Sequence, residues 1–177
     1  MARTLNELVE YLDRLTDRVD LADLLIELSQ LNVQCEELRE FVRFSPRYYM
    51  RNLVRAGEWY HLLVLCWQNG QRSPIHDHAG SSCGLRVLRG TMTETRFEFA
   101  SNGHVKAVAS RDLATGSVVG SQDLDLHQIS NLQPGTADLV TLHVYSPPLL
   151  RMGTYSLTDK TRGEEPMLLE FCDAAGI

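Results

Sequence analysis

The residues of this chain best suited to chemistry are two histidines separated by one position, in His76-Asp77-His78. On a strand, residues two apart project to the same face, so both imidazoles can grip one ion. Imidazole is a preferred ligand for zinc, copper, iron and nickel. A third histidine, His127, lies 49 residues beyond the pair in another β-like run, and His143 follows on a third. A metal pocket built from strands is the leading expectation. The remaining candidates, His61 and His104, are expected to be structural or exposed.

Such ligands need rigid elements to hold them, and the chain divides into a helical front and a β-rich remainder. Thr4 and Glu7 have capping-box spacing, and Leu5, Leu8, Val9, Leu12 and Leu15 recur on one helical face. Asp20 is placed to cap a second helix with the stripe Leu21, Leu24, Leu25, Leu28 and Leu31, and residues 35–43 read as a shorter third. From Trp59 the runs shorten and fill with Val, Leu, Thr and aromatics, broken by Gly, Asn, Asp and Pro. Strands are expected over 59–67, 84–89, 91–99, 104–111, 117–119, 125–132, 138–145 and 152–157. Many short strands with turn signals indicate a sandwich or barrel. Asn102-Gly103 is a two-residue hairpin signal, because both residue types accept positive φ. After Arg162 the chain turns acidic and then apolar (Met167-Leu168-Leu169-Glu170-Phe171), with no role assigned.

Composition narrows the function classes. With 177 residues, 44% of them hydrophobic, the chain can bury one sizeable core, so residues 1–177 are expected to form one domain: a helical part over 1–45 and a β-barrel with its tail over 46–177. A net charge of −6 with no Lys/Arg cluster argues against nucleic acid as a partner. No segment approaches the ~20 apolar residues of a membrane span. Cys35, Cys66, Cys83 and Cys172 lack C-x-x-C spacing, and the N-terminus turns amphipathic without an export signal. Reduced thiols in the cytoplasm are the expectation, in a monomer or weak oligomer.

The segment Gly70 to His78 reads G-x5-H-x-H, closed by Gly90, and resembles the first signature of the cupin superfamily. His127-Gln128-Ile129-Ser130-Asn131 matches the end of the second signature, without its usual P-x-G element. The resemblance implies a mainly β, jelly-roll barrel with the N-terminal helices packed on it, and His76, His78 and His127 as three metal ligands. Many cupins add a glutamate ligand after the second histidine; that place is held here by Cys83. A neutral three-histidine face leaves the full ion charge and open positions for an anionic substrate such as a thiolate.

A narrower resemblance joins Tyr48-Tyr49-Met50-Arg51-Asn52-Leu53, Leu65-Cys66-Trp67, Ser73 to His78, Cys83, Gly90, Glu94-Thr95, His127 and Leu142 to Pro148. Together these are similar to cysteine dioxygenase, a family of non-haem iron thiol dioxygenases. The likeness implies oxidation of L-cysteine by O₂ to cysteine sulfinate, with one Fe(II) per chain and no organic cofactor. It implies Arg51 as the substrate-carboxylate partner, beside Tyr49, and Tyr145 as the pocket acid or hydrogen-bond donor. His143 would orient Tyr145, with Thr141, usually serine in relatives, behind it, and Trp67 as pocket wall. Cys83 stands where some members carry a cysteine joined to the tyrosine by a thioether and many bacterial relatives carry glycine, so both states stay open. Ser146-Pro147 matches a bond that is cis in the family.

Each reading has a plainer competitor. Arg51 after three helices could be solvated or salt-bridged, Cys83 could be an inert buried thiol, and the other cysteines suit core or surface. A dioxygenase for 3-mercaptopropionate is a second enzyme reading, although that group tends to replace the arginine by glutamine. A non-catalytic cupin that binds a metal or small ligand would not need Arg51, His143 and Tyr145 together.

Overall fold

The computed structural model describes residues 2–171. Helix α1 (Leu5–Asp13) starts at the expected box: the Thr4 N–H donates to the Glu7 carboxylate at 2.7 Å, and the Glu7 N–H donates to the Thr4 hydroxyl at 3.3 Å. Helix α2 (Leu21–Gln30) starts at Asp20, which accepts from the N–H groups of Ala22 and Asp23. The third helix is 3₁₀ over Cys35–Phe41, not α. Its buried residues, Cys35, Leu38 and Phe41, are three apart, the spacing that a 3₁₀ helix stacks on one side. Among the described residues no helix is long and apolar enough to cross a membrane.

Among the described residues twelve strands follow: β1 (Met50–Ala56), β2 (His61–Trp67), β3 (Ile75–His76), β4 (Ser82–Arg89), β5 (Thr91–Phe99), β6 (Val105–Ala114), β7 (Val118–Gln122), β8 (Leu126–Ser130), β9 (Leu139–Ser146), β10 (Arg151–Tyr155), β11 (Arg162–Pro166) and β12 (Glu170–Phe171). They form two six-stranded sheets, ordered β12-β1-β2-β9-β4-β7 and β11-β10-β3-β8-β5-β6. All eight expected strands are present. The other four lack an apolar pattern of useful length: β1 mixes Arg51, Asn52 and Arg55 into its run, β3 and β12 are two residues each, and β11 is exposed throughout.

Between the sheets lie Leu63, Leu65, Trp67, Leu85, Val87, Met92, Ile129 and Met152. The opposite face of β2 and β9 offers Leu62, Val64, Cys66, Val140, Leu142 and Val144 to α1, α2 and the 3₁₀ turn through Leu8, Leu12, Leu24, Leu28 and Leu38. Covered on both faces, β2 and β9 read as near-continuous apolar runs. Close approach of α2 depends on Gly84 and Gly120, cross-strand partners on β4 and β7. A Cβ on Gly84 would lie 2.7 Å from Leu28 and 2.8 Å from Leu24, and one on Gly120 would lie 2.7 Å from Leu21.

The β5–β6 hairpin is present, but its turn is not the two-residue type that Asn102-Gly103 suggested. The Gly103 N–H closes onto the Ala100 carbonyl at 2.9 Å, and only Gly103 has positive φ, at 84°. A type I turn followed by one left-handed glycine needs nothing special of Asn102.

Candidate metal centre and its pocket

Strand pairing brings the three histidines together. His76 and His127 are directly opposed on β3 and β8. β3 ends at His76, and His78 beyond it is fixed through its N–H, which donates to the Asp123 carbonyl at 2.9 Å. The three ring centroids lie 4.7 to 5.4 Å apart, one ligand atom from each falls within 4.8 Å of the others, and all three side chains are buried. Between the pair, Asp77 projects the other way and is fully buried. Its carboxylate accepts from the Gly153 N–H at 3.0 Å, the Tyr155 hydroxyl at 2.6 Å and Arg162 at 2.8 Å, which pins the ligand strand to β10 and β11.

Hydrogen bonds fix which nitrogens face the centre. Nδ1 of His76 lies 3.0 Å from the Pro74 carbonyl, which can only accept, so Nδ1 carries the proton and Nε2 keeps its lone pair. Nδ1 of His127 lies 3.0 Å from Glu94, leaving its Nε2 free likewise. Burial works against the Glu94 anion, but the bonds from His127 and Arg111 outweigh it and hold its carboxyl below the ordinary value. Burial, followed by the neighbouring imidazoles, drives His76 and His78 well below the usual histidine range, so both are neutral, the form that binds metal. His78 has both ring nitrogens buried without a hydrogen-bond partner. Buried polar atoms are rarely orphaned, and a metal ligand is the standard exception. The donor set therefore fits one divalent ion.

The centre opens into a small cavity lined also by Tyr49, Arg51, Trp67, Cys83, Tyr145 and Met167. At one end Tyr49 stacks on Trp67, rings 4.0 Å apart and 6° from parallel, and the Arg51 guanidinium lies 4.7 Å from the Tyr49 ring centre and donates to its hydroxyl. Arg51 is half-buried, and among the described residues it forms no ion pair, contrary to the plain salt-bridge reading. No acidic side chain lines the cavity among the described residues.

Alternation along β9 puts Thr141, His143 and Tyr145 in line. The Tyr145 hydroxyl lies 3.3 Å from His143 Nδ1, and His143 Nε2 lies 2.9 Å from the Thr141 hydroxyl, which accepts from Trp67 Nε1 at 3.1 Å. Burial lowers His143 to about 3 and drives the Tyr145 phenol well above its ordinary value, so the first is neutral and the second protonated. Cys83 is the cross-strand partner of Tyr145, its thiol pushed up to about 12 by burial. The Ser146–Pro147 bond is cis.

Known proteins match this arrangement. The family model described as "Cysteine dioxygenase type I" matches residues 1–158. Cysteine dioxygenase type 1 of Rattus norvegicus is 34% identical over 153 residues, covering 82% of this chain and 76% of the rat protein. The Danio rerio protein of the same name is 31% identical over 161 residues, covering 86% of this chain and 79% of its own length. The chain belongs to the cysteine dioxygenase type I family. A crystal structure of a Thermus thermophilus protein superposes with a TM-score of 0.53 at 20% identity, covering 63% of this chain and 94% of the other. One from Bacillus halodurans gives 0.52 at 15%, covering 66% and 81%. Likenesses at that identity speak for the fold alone, and the fold is the cupin-type jelly roll.

Every site residue singled out from this family's pattern meets at the pocket or directly behind it, whereas His61 and His104 lie outside it. Cys35 and Cys66 are buried core thiols, and Cys172 lies outside the described residues. Three contributors were not read from sequence. Glu94 stood in the family pattern without a role, and its signal was an acid two residues from Met92, on the buried phase of β5. Asp77 could have been read by alternation, facing away from its two histidines. Met167, in the stretch left without a role, lines the cavity because that stretch folds back to pair with β10 and β1.

Proposed function

We propose that this chain oxidises L-cysteine with O₂ to L-cysteine sulfinate at a mononuclear Fe(II) held by His76, His78 and His127. Both oxygen atoms pass to sulfur, which loses four electrons as O₂ is reduced, and the thiol proton is released. The observation that carries the reading is the buried cluster of His76, His78 and His127 at a cavity that Arg51 also lines, its guanidinium held by Tyr49 and, among the described residues, in no ion pair. Ferrous iron with three neutral ligands supplies a cationic centre that favours the thiolate and brings O₂ within reach of its sulfur.

The protein's own residues do the rest. Arg51, backed by Tyr49, takes the substrate carboxylate in a planar two-bond fork. The Tyr49–Trp67 stack keeps that fork from swinging freely. Trp67 is a donor only, so the Thr141 oxygen accepts from it and its own proton is available to His143 Nε2. Nδ1–H then donates to the Tyr145 oxygen, and the phenolic proton is left to point at substrate. Among the described residues no acidic side chain lines the cavity, so a substrate amine would rely on the metal rather than on a carboxylate partner. Cys83 stands where a thioether to Tyr145 would form during turnover. Among the described residues Cys35, Cys66 and Cys83 are free thiols, which suits a reducing cytoplasm.

The test is anaerobic loading with Fe(II), then O₂ with either L-cysteine or 3-mercaptopropionate at matched concentration. Stoichiometric oxygen uptake with sulfinate formed from cysteine is expected. No turnover by the loaded protein would sink the enzyme reading, and preference for the amine-free thiol would replace the substrate.

A further inference from the structure

Behind the pocket, the three ligand imidazoles are not equivalent. His76 meets a neutral carbonyl through Nδ1, and among the described residues His78 has no carboxylate partner. His127 alone of the three has a carboxylate partner there: Nδ1 lies 3.0 Å from Glu94 Oε1, with the two side chains only 4% and 2% exposed. The other oxygen of Glu94 is engaged separately, accepting from Arg111 Nε at 2.8 Å and Nη2 at 2.7 Å. Sheet register builds the set. Glu94 is paired with Arg111 on β6, and Arg96, two residues along β5, is paired with His127 on β8, so Glu94 reaches His127 diagonally. Arg111 is half exposed and borders a polar cavity of about 200 Å³ that is separate from the substrate pocket.

We propose that Glu94 is a positioning residue of the metal centre: it holds His127 as the Nδ1–H tautomer and supplies, one hydrogen bond removed, the negative charge that the three-histidine face lacks. Arg111 sets how much of that charge reaches the ring. A carboxylate on the far nitrogen strengthens the near nitrogen as a donor. The guanidinium competes for the same carboxylate, so its pull weakens that effect. The position taken by Cys83 lost a carboxylate that would bind metal directly; Glu94 restores part of its charge without occupying a coordination site. This inference rests on the three-histidine metal centre proposed above.

Two variants separate it from a structural ion pair, because they act with opposite sign. Glu94→Gln keeps the side-chain shape and removes the charge; Arg111→Met keeps the carboxylate and removes its competitor. Fe(II) affinity is read by anaerobic competition with a chromophoric chelator, and the Fe(III)/Fe(II) potential by redox titration, both without thiol. Glu94→Gln should weaken Fe(II) binding roughly 10- to 100-fold and raise the potential. Arg111→Met should leave binding intact or tighter and lower the potential; a tenfold change in relative affinity for the two oxidation states corresponds to about 59 mV. Affinity of Glu94→Gln within twofold of the unaltered chain and an unmoved potential would overturn the proposal, as would two shifts of the same sign. Should Glu94→Gln fail to fold by circular dichroism, the sign for Arg111→Met decides, and a zero or positive shift overturns it. Unaltered protein that takes up no Fe(II) removes the metal centre itself, whereas failure confined to the variants leaves that centre standing.

Discussion

A neutral imidazole at His143 carries a measurable cost in acid. Burial first, then the nearby His127 ring and Arg51 guanidinium, lower it to about 3 from 6.5. Between those values the unfolded chain binds a proton that the folded chain refuses, so stability rises with pH across that window and is complete above it. The slope from this one group is about 1.4 kcal/mol per pH unit. Urea unfolding of the metal-free chain and of His143→Gln, from pH 4 to 8, should show the difference between them shrinking by that slope below about pH 6.5. Parallel curves would mean that the ring is not neutral when folded. Arg51→Ala makes a different demand: loss of a charge-assisted fork should raise the KM for cysteine tenfold or more, on the order of 2–5 kcal/mol if the pair is desolvated. An unchanged KM would place the carboxylate elsewhere. Residues of this kind were legible because their spacing obeys strand geometry, as with His76 and His78 or Thr141, His143 and Tyr145. Glu94 was not, because its meaning depends on a diagonal across β5 and β8 that no local pattern encodes.

Elements were legible in proportion to how one-sided their burial is. The stripes of α1 and α2 announced themselves, whereas β1 hid behind Arg51, Asn52 and Arg55 although it carries the substrate end of the pocket. The seat between α2 and the first sheet was equally silent, since Gly84 and Gly120 signal only missing side chains until β4 and β7 are known to pair. The α2 side chains fill the space those glycines leave, with Leu24 and Leu28 against one and Leu21 and Leu25 against the other. Gly84→Ala should therefore lower stability by about 1–3 kcal/mol through overpacking, although alanine ordinarily suits a strand better than glycine. Thermal unfolding gives the value. A neutral or stabilising result would mean that α2 rides further from the sheet than its leucines indicate.

At the scale of the whole molecule, we propose that residues 1–177 fold as one unit, and the helical front is the place to test it. Six apolar side chains on the outer face of β2 and β9, from Leu62 to Val144, are covered by helices drawn from the first 41 residues. At roughly 1.5–3 kcal/mol for each buried side chain, their exposure would cost on the order of 10 kcal/mol, comparable to the entire stability of a small domain. The front also reaches toward the metal centre. Arg18 pairs with Asp123 at 2.6 Å and donates to Ser82 at 2.8 Å, while the carbonyl of Asp123 receives the His78 N–H at 2.9 Å. Residues 46–177 expressed alone should thus neither unfold cooperatively nor bind Fe(II) in the chelator assay. A soluble fragment that melts in one transition and takes up one iron would show that the barrel is independent, and that the helices are a cover rather than part of the core.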